Sequence, residues 1–148
     1  MHEPTDERAD EPLGMLLLRL GDIYDRLLRA SLPDPELTRR QIQLLQIVWR
    51  DGPIAQKELA ERLGDAKLSL PKMLLSLEGR GYVEKIVNPS DGRSRLVAVT
   101  DKGNALRERC SRILFEAEEA ASPKSITGDL KQCEKALGEL EEALGGGR

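Results

Sequence analysis

Two short sets of residues in this sequence carry cationic chemistry. Lys67, Ser69, Lys72 and Ser76 lie within a run patterned as a helix, and Asp91, Arg93 and Arg95 lie within a turn-rich run. Lysine and arginine in such positions can neutralise phosphates, and hydroxyls beside them can hydrogen-bond a phosphate or a base edge. The charge distribution agrees. The chain carries a formal net charge of −3, yet residues 38–100 hold 11 Lys and Arg against 7 Asp and Glu. The flanks are acidic, with a net of −4 over residues 1–11 and of −2 over residues 101–148. A basic middle between acidic flanks points to a polyanionic partner for the middle.

Other chemistries lack their residues. The single histidine is His2, so no imidazole is available as a general base within the patterned chain. There is no nucleophile elbow and no phosphate-cradling glycine loop, and the carboxylates fall on predicted outer helix faces. An enzyme is not expected, and neither a metal nor a cofactor, since zinc wants clustered His, Cys and carboxylates. Cys110 and Cys133 both sit on apolar stripes, where free cysteine acts as a small hydrophobe. No run approaches the roughly 18 apolar residues that span a membrane, and "MHEPTDERADEP" lacks the apolar core of a secretory leader. The expectation is a cytoplasmic chain with no membrane partner. It would hold one domain over 12–148, after an acidic flexible tail at 1–11.

The elements that must position the basic residues follow from periodicity. Leu13, Leu16, Leu17, Leu20, Ile23, Tyr24, Leu27 and Leu28 repeat at helical spacing up to the breaker "SLPDP". Thr38 and Gln41 then form a capping-box pattern, with Leu37 and Ile42 at the positions of a hydrophobic staple, opening a helix that stops at "RDGP". A short helix over about 55–63 closes at Gly64. The next is predicted over 66–79, with Leu70, Met73, Leu74 and Leu77 inward and Lys67, Ser69, Pro71, Lys72, Leu75 and Ser76 outward. Pro71 is its anomaly. Either the helix starts late, at a Ser69 cap, or it is capped by Asp65 and bends at the proline; helical phase favours the bend.

"YVEKIV" and "RLVAV" read as strands joined by a longer loop, "NPSDGRS". Thr100 should cap a long helix. Beyond Pro123, Ile126, Leu130, Cys133, Leu137, Leu140 and Leu144 make the narrow seam of a helix that packs as a coiled coil. The fold class is therefore mainly α with a small β-hairpin. A winged helix-turn-helix over about 38–100 is flanked by dimerisation helices over about 12–31 and 101–145. Leu13, Leu16, Leu17, Leu20, Ile126, Leu130, Leu137 and Leu140 are the expected dimer contacts.

Two runs carry a family resemblance. "NPSDGRSRLVAVTDKG" (88–103) and "ELAERLGDAKLSLPKMLLSLEGRGYVEK" (58–85) resemble the wing and the helix-turn-helix of the MarR (multiple-antibiotic-resistance repressor) family of transcription regulators. The resemblance implies a homodimer bound to a palindromic operator on double-stranded DNA, often released by a small aromatic or anionic effector or by cysteine oxidation. It implies that Lys67, Ser69, Lys72 and Ser76 face the major groove and that the wing, 88–95, enters the minor groove. There Arg93 and Arg95 would meet the concentrated negative potential of a narrow groove. Asp91 is expected to orient the Arg93 guanidinium by a charge-assisted hydrogen bond. Tyr24 and Trp49, with Met15 and Arg50 nearby, are the candidates for an effector pocket. The 66–79 helix lacks Arg, Asn and Gln on its outer face, and Gly92 stands where relatives often carry a base. A rival reading follows: a winged-helix dimer that acts through protein contact, as an antirepressor or co-regulator.

Overall fold

A computed structural model describes residues 11–64, 69–121 and 127–145, with 127–131 described as backbone only. The element order is α1 (Leu13–Ser31), α2 (Arg39–Asp51), β1 (Ile54–Ala55), α3 (Gln56–Leu63), α4 (Leu70–Gly79), β2 (Val83–Asn88), β3 (Asp91–Val99), α5 (Asp101–Ala121) and α6 (Thr127–Ala143). The strands form one antiparallel sheet in the order β1-β3-β2. The chain is thus mainly helical with a small sheet, built as a winged helix-turn-helix with helices on either side.

The α2 start is built as its sequence pattern predicts. The Thr38 hydroxyl accepts from the Gln41 amide at 3.2 Å, and the Gln41 side chain accepts from the Thr38 amide at 2.9 Å. Leu37 and Ile42, the staple pair, are both buried. Behind them Leu44, Leu45, Val48, Leu59, Leu74, Leu77 and Val97 are 1% exposed or less and join α2, α3, α4 and β3 in one core. Each fully buried side chain of this size contributes roughly 1.5–3 kcal/mol of transfer free energy.

The join between α4 and the sheet is closed twice. Gly81, at φ +80°, lets the helix end in a Schellman motif. Its amide donates to the Glu78 carbonyl at 2.9 Å, and the Tyr82 amide donates to the Leu77 carbonyl at 3.0 Å. Thr100 caps α5 as expected, accepting from the Gly103 amide at 3.0 Å, and its hydroxyl donates to the Gly81 carbonyl. Gly103 is required there for space. A Cβ at that position would stand 2.2 Å from the Tyr82 carbonyl oxygen.

Three expectations change. A third strand, β1, pairs Ile54 with Val97 and Ala55 with Leu96; two residues between a Pro-containing turn and a helix are too short for a periodicity to show. The wing loop is tight rather than long, because β2 runs to Asn88 and β3 starts at Asp91. A register shift at Val87/Asn88 takes up the turn. And α4 begins at Leu70, with Pro71 in its first turn, where a missing amide costs no helical bond. This is the late start rather than the favoured bend. Ser69 precedes the helix without a side-chain cap, its carbonyl accepting from the Met73 amide at 3.1 Å. The rest of the longer 66–79 helix and its proposed Asp65 cap fall outside the described residues, as does the acidic tail apart from Glu11.

Candidate nucleic-acid interface

The α4 helix turns Leu70, Leu74 and Leu77 into the core, with Met73 half-buried. Ser69, Pro71, Lys72 and Leu75 are exposed on the other side, as the spacing predicts. Ser76 differs. Its hydroxyl accepts from the Gln41 side-chain amide at 3.0 Å and is approached by Arg80 Nε at 3.4 Å, so it serves the scaffold. Lys67 lies outside the described residues.

The wing tip is organised by short side chains. Asn88 Oδ1 accepts from the Ser90 amide at 3.0 Å and Asn88 Nδ2 donates to the Ser94 hydroxyl at 3.0 Å. Asp91 Oδ1 accepts from the backbone amide of Arg93 at 3.1 Å. Asp91 therefore holds Arg93 through the main chain, and the expected bond to the guanidinium is not formed. An Asx turn satisfies the carboxylate locally and leaves the arginine head free to extend. Among the described residues neither the Arg93 nor the Arg95 side chain makes a hydrogen bond or an ion pair, and both are exposed.

Several cations elsewhere are engaged, although Arg26, Lys57 and Arg112 are also exposed without a partner among the described residues. Arg62 bridges Asp51 at 2.5 Å and Glu58 at 2.6 Å, and Arg39 pairs with Asp22. The densest network surrounds Arg80, at the end of α4. Its guanidinium meets Asp34 at 2.7 and 2.8 Å and Glu36 at 2.7 Å, and the Tyr82 hydroxyl donates to Asp34 at 3.2 Å. Burial alone would push Asp34 up, but the hydrogen bonds and charge of Arg80 hold its carboxyl below the usual carboxylate range. Lys102 Nζ donates to the Arg80 carbonyl at 2.6 Å and stands 4.9 Å from the centre of the Tyr82 ring. This network ties the α1–α2 linker to the end of α4 and the start of α5. The sequence did not announce it: Asp34 and Arg80 are 46 positions apart and neither belongs to a local motif.

The effector candidates do not converge. Trp49 and Arg50 line a groove of about 370 Å³ with Leu28, Arg107, Cys110 and Leu114. Tyr24 instead donates its hydroxyl to Glu118 at 2.9 Å, and Met15 is exposed. The Trp49 indole donates to the Gly103 carbonyl at 3.2 Å, a structural bond between α2 and α5. Cys110 is buried, and burial pushes its thiol up, away from the reactive thiolate; Cys133 is exposed. Among the described residues no cluster of His, Cys, Asp and Glu is placed to hold a metal ion. No described helix is long and apolar enough to cross a membrane.

The apolar faces of the outer helices remain open. Leu13, Leu16, Leu17 and Leu20 on α1 are exposed, as is Leu137 on α6, while Leu140 is half-exposed. Ile126 lies outside the described residues, and the Leu130 side chain is not described.

Comparison with known proteins gives the following. The sequence profile of the MarR family matches residues 37–94. The multiple antibiotic resistance protein MarR of Escherichia coli K12 is 31% identical over 118 residues, 80% of this chain and 82% of that one. An HTH-type transcriptional repressor of Mycobacterium tuberculosis is 28% identical over 74% of this chain and 78% of its own. Among solved structures, wild-type MarR from E. coli in its apo form superposes with a TM-score of 0.64 at 27% identity, covering 88% of this chain and 97% of that one. A second structure, of the multiple antibiotic resistance repressor, gives 0.66 at 30% identity over 88% and 95%.

Proposed function

The chain belongs to the MarR family of winged-helix transcription regulators, whose members are not enzymes, and on that premise we propose that it is a homodimeric repressor of a palindromic operator. Each protomer lays α4 in a major groove and the wing tip, 88–95, in the adjacent minor groove. The carrying observation is the sorting of the cations. Arg39, Arg62 and Arg80 are spent on carboxylates. Lys72, Arg93 and Arg95 are left exposed without a partner among the described residues. Unpaired cations on the outer face of a helix-turn-helix and its wing suit a phosphate backbone.

Dimerisation rests on α1 and α6. Leu13, Leu16, Leu17 and Leu20 form a continuous apolar stripe open to solvent, and Leu137 and Leu140 continue the seam pattern of Ile126 and Leu130. A second copy would cover both, as the long apolar patch asks. Relief by a small aromatic anion has support in the Trp49 groove, which sets Arg50 and Arg107 beside Leu28 and Leu114. The location is cytoplasmic, with no membrane partner. The apolar outer face of α4 is the one feature that favours action by protein contact, and the two free wing arginines weigh against it.

The test is selection of bound fragments from genomic DNA, followed by the stoichiometry of the complex by ultracentrifugation. An enriched palindrome bound by two chains per duplex is expected. Fragments without a shared sequence would sink the repressor reading and leave the protein-contact one.

A further inference from the structure

Leu75 is 71% exposed, on the outer face of the helix that the proposed function places in the major groove. A lone exposed leucine on a soluble domain needs no explanation. This one differs by its neighbours. It stands three positions after Lys72 and four after Pro71, so the three share one helix face. Among the described residues, the one hydroxyl of the helix, Ser76, is bound to Gln41, Glu78 pairs with Lys85, and Ser69 lies before the first turn. Among the described residues the face therefore has no carboxamide or guanidinium with which to make bidentate contacts to base edges. What its described residues can bring to a groove is one ammonium and a pair of methyl groups.

The major-groove edges of the bases carry a single apolar group, the C5-methyl of thymine. We infer that Leu75 is a specificity-determining residue that packs on thymine methyl groups in each half-site, while Lys72 fixes the helix on the flanking phosphate. The inference rests on the proposed function and deepens it. Charge complementarity brings DNA rather than a protein to this face, because Lys72 beside it is unpaired among the described residues. A leucine here rewards a methyl and gives nothing to a hydrogen-bonding edge. The same chemistry would accept 5-methylcytosine in place of thymine.

The experiment takes the full chain and a duplex selected from a random-sequence pool, then replaces each thymine in turn by deoxyuridine. Removing the methyl under Leu75 should weaken binding about fourfold in one half-site, the equivalent of about 0.8 kcal/mol per buried methylene-sized group. Restoring it as 5-methylcytosine opposite guanine should keep Leu75's contribution. Leu75→Ala, whose fold is checked by thermal unfolding, should bind the thymine and uracil duplexes alike, and Leu75→Met should keep most of the discrimination. A uracil scan with no position changing affinity, or Leu75→Ala retaining full methyl sensitivity, overturns the inference while leaving the repressor reading intact. A pool that yields no preferred sequence removes both.

Discussion

The recognition helix and the wing face the same partner with different equipment. Among the described residues, the outer face of α4 and the Ser69 that precedes it offer Ser69, Pro71, Lys72 and Leu75, with one cation among the four. The wing offers Arg93 and Arg95 on a tip built from Asx turns, with no competing carboxylate on either guanidinium among the described residues. The helix is rigidly seated, by Gln41 at its middle and by the Arg80 network at its end. The wing tip is held by its ladder and turn bonds, and its strands by pairing with β1 and by the Lys85–Glu78 ion pair. The contrast teaches that affinity and reading are divided: cations on the wing supply attraction, and a nearly neutral helix supplies shape and methyl contacts. A helix poor in charge can afford little misplacement, which accounts for the bonds spent on seating it.

The largest expected effect breaks the wing side. Arg93→Ala with Arg95→Ala should weaken operator binding by on the order of a hundredfold or more at low salt, since hydrogen bonds to charged groups are worth about 1.5–3 kcal/mol each. The salt dependence should flatten by about 0.9 per phosphate contact removed. Fluorescence anisotropy across a potassium chloride series measures both, and an unchanged slope would take the wing out of the account. A smaller effect sharpens the helix side. Ser76→Ala should lower unfolding stability by about 1 kcal/mol, the worth of one neutral hydrogen bond, and Gln41→Ala by more, since it also removes the capping-box bond from the Thr38 amide; neither should change the salt slope. If Ser76→Ala instead altered base preference with stability unchanged, Ser76 would belong to the reading face after all.

The smallest effect concerns pH. Because Asp34 titrates below its ordinary 3.8 in the folded chain, its stabilising contribution is present above that value and is lost as pH falls through the depressed one. Thermal melts between about pH 5 and pH 2.5 should therefore show a steeper acid loss for the wild type than for Asp34→Asn. Equal slopes would mean that the Arg80 network does not anchor the helix end.

Much of this was legible in the sequence, and the reason differs by element. Local chemistry reads well: the Thr38–Gln41 box, the Thr100 cap and the inward leucines of α4 each depend on neighbours within a turn. Pro71 is legible as a breaker, but its choice between bending and starting the helix is not, because both turn Leu70 into the core. The sequence pairs Asp91 with Arg93, but a side-chain carboxylate two positions before an amide closes an Asx turn more readily than it reaches a long guanidinium. Long-range pairs such as Asp34–Arg80 and Gln41–Ser76 leave no periodic trace. The apolar stripe of α1 identifies a face without naming what covers it, and no periodic pattern links Tyr24 to Trp49, which lie apart in the fold.

The most direct test of the divided interface is the salt dependence of binding to a selected operator duplex, measured beside a scrambled duplex. With Lys72, Arg93 and Arg95 of two protomers engaged, the log–log slope should lie near about −5, at about 0.9 per contact, and the operator should be preferred at every salt concentration. A slope shallower than about −2, or equal affinity for the two duplexes, would contradict the account.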